Sequence, residues 1–118
     1  MKLICTIDNK YVNKFMGILL SGILQSLKEG AITIDESELL VFRPFISSLM
    51  QRNGCDGKLV HIIDLGCELE DIESLVPETF EAVIQSLMTK TSDYIHAKKD
   101  NYPMSDNVEN IVSFTFRK

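Results

Sequence analysis

The sequence predicts an α+β domain that is mainly helical, with four to five helices between short N- and C-terminal strands forming a small antiparallel sheet. Three observations carry this. Two long stretches repeat apolar residues at three- and four-residue steps, the helical period. Both ends of the chain alternate apolar and polar residues, the strand period. Only nine of 118 residues are Gly or Pro, and several stand where such a helix would stop or start. A chain of this length fits one domain, 1–118, and buries roughly two-thirds of its unfolded surface.

Leu3, Cys5 and Ile7 alternate with Ile4 and Thr6, which predicts the first strand. Asp8 or Asn9 caps the first helix. Val12, Phe15, Met16, Leu19, Leu20, Ile23, Leu24 and Leu27 form a wide stripe on this helix, over 10–29, central in the core and closed by Gly30. Tyr11, Ile18 and Gly22 flank the stripe, and Gly22 would admit a close neighbour. Asp35-Glu36-Ser37-Glu38 reads as a capping box opening a helix over 36–52. Leu39, Leu40, Phe42, Phe45, Ile46, Leu49 and Met50 continue it, and Asn53-Gly54 ends it. Pro44 either kinks this helix or divides it in two.

Residues 58–66 are open to two readings, strand or helix. The steps from Leu59 to Ile62 and Ile63 favour a helix stopping near Gly66. Leu69, Ile72, Leu75 and Val76 mark a second short helix with those four facing inward. Pro77 starts a long helix over about 78–97, with a stripe from Phe80 through Val83, Ile84, Leu87, Met88, Thr91 and Tyr94 to Ile95. Residues 98–109 read as a polar loop. Val112, Phe114 and Phe116 then alternate with polar neighbours in a half-buried strand. The terminal strands either pair with each other against the helices or extend across a homodimer.

The net charge of −5 argues against direct nucleic-acid binding, which needs Lys and Arg on phosphate. Residues 1–30 carry +2, 31–63 −1, and 82–118 +1. Residues 64–81 carry −7, from Asp64, Glu68, Glu70, Asp71, Glu73, Glu78 and Glu81, with no Lys or Arg between them. Acids at helix N-termini have a structural use, because they complement the helix dipole. A surface of one sign is also a docking face for a basic partner, since ordinary surfaces mix both signs.

The carboxylates lie on polar helix faces, where nothing raises a pKa for acid–base chemistry, so no enzyme activity is expected. His61, between Val60 and Ile62, reads as a half-buried packing histidine. Cys5, Cys55 and Cys67 are odd in number and unpaired in spacing, which predicts free thiols in a reducing cytoplasm. A thiol nucleophile, Cys67 or Cys55 with His61, is the remaining enzymatic reading. No metal spacing, phosphate-loop glycine pattern or other cofactor motif is present, and no signal peptide or membrane-spanning run is visible.

Two stretches resemble a known family. One is Gly30-Ala31-Ile32-Thr33-Ile34-Asp35-Glu36-Ser37-Glu38 with Leu39-Leu40-Val41-Phe42-Arg43-Pro44. The other runs from Ile62 to Leu75, Leu65–Leu75 reading L-G-x-E-L-E-D-I-E-S-L, and is closed by Pro77. Over roughly residues 10–95 the chain resembles small bacterial proteins with this motif, and these are similar in kind to cytoplasmic immunity proteins of toxin systems, including contact-dependent growth inhibition. The resemblance implies a protein that neutralises a cognate toxin, a basic nuclease domain, by covering its active site. It carries no catalytic residues. Asp64, Glu68, Glu70, Asp71 and Glu73 fall inside the matching motif.

Overall fold

A computed structural model describes residues 1–99 and 111–118. Strand β1 (Lys2–Ile7) is followed by α1 (Asn9–Lys28), α2 (Ile34–Leu40), α3 (Pro44–Arg52), α4 (Gly57–Gly66), α5 (Leu69–Leu75), a single 3-10 turn (Pro77–Thr79), α6 (Phe80–Ala97) and β2 (Val112–Arg117). The protein is therefore α+β and mainly helical. Among the described residues there are six α-helices, because the 36–52 segment divides at Pro44 and 57–66 is a helix rather than a strand. Beyond Lys98 and Lys99, the loop expected over 98–109 lies outside the described residues.

The helix ends obey local chemistry. The Asp8 side chain caps α1 by accepting from the Lys10 amide at 3.2 Å. At the other end Gly30 has φ +72°, and the Gly30 and Ala31 amides donate back to Leu27 and Ser26 carbonyls at 3.1 and 2.9 Å. These two bonds make a Schellman motif, which needs the left-handed conformation that glycine tolerates. Gly54, with φ +75°, ends α3 in the same way, its amide and that of Cys55 donating to Gln51 and Met50 at 3.2 and 3.0 Å.

Helix α2 departs from the expected frame. Its capping box is Thr33 with Glu36, not Asp35 with Glu38: the Glu36 amide donates to Thr33 Oγ1 at 3.1 Å, and the Thr33 amide to Glu36 Oε1 at 3.2 Å. Both pairs have the right spacing. The frame adopted sends Ile34, Ser37 and Val41 toward the core and frees Asp35 and Glu38 for the face toward α5.

The core lies along the seam between α1 and α6, with α4 against both and α3 against α4. Leu20, Leu24, Leu59, Ile63, Leu69 and Leu87 are at most 1% exposed, and burial on this scale is the dominant stabilising force. Val41 and Phe42, in the link between α2 and α3, are as deeply buried. Close approach falls at glycines other than Gly22, around which space is open. A Cβ at Gly17 would sit 3.2 Å from the Tyr94 ring, and one at Gly66 would overlap the ring of Phe42. Gly66 thus makes room for an aromatic ring rather than serving as a left-handed stop.

Several expected inward residues stay outside. Leu75 is 78% exposed, because α5 is only two turns long and its second turn runs past the core. Leu39, Leu40, Phe45 and Leu49 are exposed on α2 and α3. The termini do form one antiparallel sheet, Lys2 opposite Arg117 through to Ile7 opposite Val112. Yet the strands' main contacts are with each other, so β2 is not half-buried: Phe114 and Phe116 are 64% and 68% exposed.

Candidate functional site

The α2 frame decides the site. With Thr33 at the cap, Glu38 turns toward α5, whose first turn carries Glu70 and Asp71. The carboxyls of Glu38 and Glu70 meet side chain to side chain, and this contact above all holds the Glu38 pKa above its usual value. Partial burial and the charges of Glu70, Asp35 and Asp71 push it the same way. Neighbouring negative charge disfavours the ionised form of Glu38, so its raised pKa reflects crowded acids at this corner.

The cluster extends around Cys67, the residue that links α4 to α5. Its thiol is raised by burial first, then by the charges of Asp64, Glu38 and Glu68. Six acids therefore converge on the α2–α4–α5 corner: Asp35, Glu38, Asp64, Glu68, Glu70 and Asp71. Among the described residues the one ion pair joins Lys98 to Asp56 at 3.4 Å, so no member of this cluster is paired with a cation.

The seven sequence-predicted acids do not share one ridge, although all are exposed. Asp64, Glu68, Glu70 and Asp71 join the corner. The Asp64 carboxylate accepts from Ser47 Oγ of α3, which fixes its position. Glu68 also borders a groove with His61 and Lys90. Glu73 stands out from α5. Glu78 sits in the 3-10 turn and Glu81 in the first turn of α6, where Glu81 shares a groove with Lys28. Asp35 and Glu38 were missed because Arg43, Arg52 and Lys58 share their stretch of sequence and offset them in a segment tally.

A second feature is a cleft of about 360 Å³ between α4 and α6, lined by Asp56, Lys58, His61, Lys90, Asp93, Tyr94 and Lys98 among others. Asp56 caps α4, accepting from the Lys58 amide at 3.0 Å, and that bond leads the causes that lower its pKa. The Tyr94 hydroxyl is buried beside Asp56 without a hydrogen bond of normal geometry. Burial, then the Asp56 charge, push its pKa far up. His61 is exposed rather than half-buried, because Leu59, Val60, Ile62 and Ile63 take the inward positions of α4. The Cys55 and Cys67 thiols are both raised by burial, the wrong direction for forming a nucleophilic thiolate. All three cysteines are free. Among the described residues no group of His, Cys, Asp and Glu has a metal-holding arrangement, and no helix is long and apolar enough to cross a membrane.

A family described as a protein of unknown function, DUF3969, matches residues 8–110, so the chain belongs to that family. No curated protein and no solved structure matches it.

Proposed function

We propose that this family member is an immunity protein: it binds a basic toxin domain, a nuclease, and covers the cleft that would hold nucleic-acid phosphate. The observation that carries the reading is the six-acid corner around Cys67, where the Glu38 and Glu70 side chains meet and, among the described residues, no member is ion-paired to a lysine or arginine. Such a cluster repels itself in the free protein and is relieved when a cationic surface docks on it. A nuclease cleft supplies that surface, because it is built to neutralise phosphate. Leu39 and Leu75, exposed on the same two helices, supply apolar anchors beside the charges. The site of action is the cytoplasm, which suits three free thiols.

Co-expression with the product of the neighbouring upstream gene tests the reading. Rescue of growth and a stable complex are expected. The triple charge reversal Glu38→Lys, Glu70→Lys, Asp71→Lys should slow association at least about tenfold at low salt while leaving the helical signal intact. Absence of any toxin that this chain counteracts would overturn the reading, and unchanged association would move the interface away from the corner. The second reading is a homodimeric regulatory or scaffold protein with another cellular partner, favoured by the exposed apolar strand face. Cell protection separates the two, since dimerisation is compatible with both readings and only a toxin antagonist rescues growth.

A further inference from the structure

The register of the terminal sheet puts Leu3, Cys5 and Ile7 of β1 on the same face as Phe116, Phe114 and Val112 of β2. Every position on that face is apolar. Leu3, Phe114 and Phe116 are 54%, 64% and 68% exposed, and the strands' main contacts are with each other rather than with a helix. An isolated two-stranded sheet is marginal in water and gains stability when its apolar face is covered. We propose that a second copy of this chain covers it, in a two-fold dimer that packs sheet on sheet. This inference is independent of the toxin reading.

Area and charge both favour a second copy. An aromatic side chain buries roughly 200 Å², so the two rings together leave about 260 Å² open, and Leu3 and Cys5 bring the face to roughly 400 Å². Two such faces with their polar rims approach the roughly 1,000 Å² of a small biological interface, which fits a weak, concentration-dependent dimer. The sheet's free end is basic, with Lys2 opposite Arg117 and Lys118 next to it, whereas the other end runs into Asp8 and Lys10, whose charges offset. Antiparallel stacking about a two-fold axis sets the two basic ends apart, so they do not repel each other across the interface.

Sedimentation of the full chain across the micromolar range tests this. The mass should rise from 13.4 kDa toward twice that value. Phe114→Ser with Phe116→Ser should stay monomeric throughout with helical circular dichroism unchanged, while Leu39→Ser should still dimerise. Labelling of exposed Cys5 by a thiol reagent should slow several-fold as the wild-type concentration rises, with half-buried Cys55 unaffected. A monomer at every concentration overturns the proposal, as does a dimer insensitive to the phenylalanine pair. Slow Cys5 labelling already at the lowest concentration also overturns it, because the chain would then cover its own face. Should the double variant lose its helical signal, the wild-type Cys5 footprint decides.

Discussion

The helical body and the terminal sheet use the same side chains in opposite ways. Along the α1–α6 seam, Leu20, Leu24 and Leu87 are 0–1% exposed, because two long stripes of complementary width lie along each other. On the sheet, Leu3, Phe114 and Phe116 keep more than half of their surface in water, although their alternation is as regular as the helical stripes. A periodic apolar face states only that something should cover it. The α1 and α6 stripes find their cover within the chain, whereas, among the described residues, the strands' main contacts are with each other. Stability therefore belongs to the helical body, and the sheet has surface left over for association.

The sharpest way to break that contrast is to truncate one residue from each region. Leu87→Ala should cost about 3–4 kcal/mol through lost burial and the cavity left in the seam. Phe116→Ser should change the unfolding free energy of the dilute protein by less than about 0.5 kcal/mol, because the ring is mostly solvated already. Urea denaturation monitored by circular dichroism reads both. Equal losses would mean that the sheet is part of the same cooperative core.

Two glycines sharpen the picture inside the helical body. Gly66→Ala should cost about 2–3 kcal/mol, since its Cβ would enter the Phe42 ring and Phe42, 1% exposed, has nowhere to retreat. Gly22→Ala should instead stabilise by roughly 0.5–1 kcal/mol, because the space around it is open and alanine restricts the unfolded chain in favour of helix. Thermal melts of the two variants should move in opposite directions. Destabilisation by both would contradict the open surface on α1.

The smallest expected effect lies at the acidic corner, and pH exposes its sign. Glu38 has a folded pKa above its usual value of 4.5, so the folded state holds this proton more tightly than the unfolded state does. The Glu38 ionisation therefore lowers stability as pH rises from 4.5 through the folded pKa, and that cost persists at neutral pH. Glu38→Gln should raise the melting temperature slightly at pH 7, and the gain should vanish as the pH falls below 4.5. A loss at pH 7 would show that the Glu38 carboxylate is satisfied by a partner, the reverse of a self-repelling cluster.

Much of the fold was legible residue by residue. Gly30 and Gly54 ended helices where expected, because a Schellman stop depends on three or four consecutive residues. Pro44 divided its segment for an equally local reason, the missing amide. The site was legible only in part. Glu70 and Asp71 stood out because they are adjacent to other acids, but Asp35 and Glu38 lie some thirty residues away and reach them only through packing of α2 on α5.

By itself, then, the sequence determined the helical and strand periods, the helix stops and the seven-acid run, since each depends on neighbours within about a turn. The tertiary structure alone decided which of two equally spaced capping boxes opens α2, which glycine meets a ring, and which leucines stay wet. Each of these depends on what lies opposite: Ile34 had to reach the core, Phe42 needed the space beside Gly66, and Leu75 ran out of neighbours. The acidic corner goes with the first of these choices, because the frame that packs Ile34 against the core also leaves Glu38 on the side of Glu70.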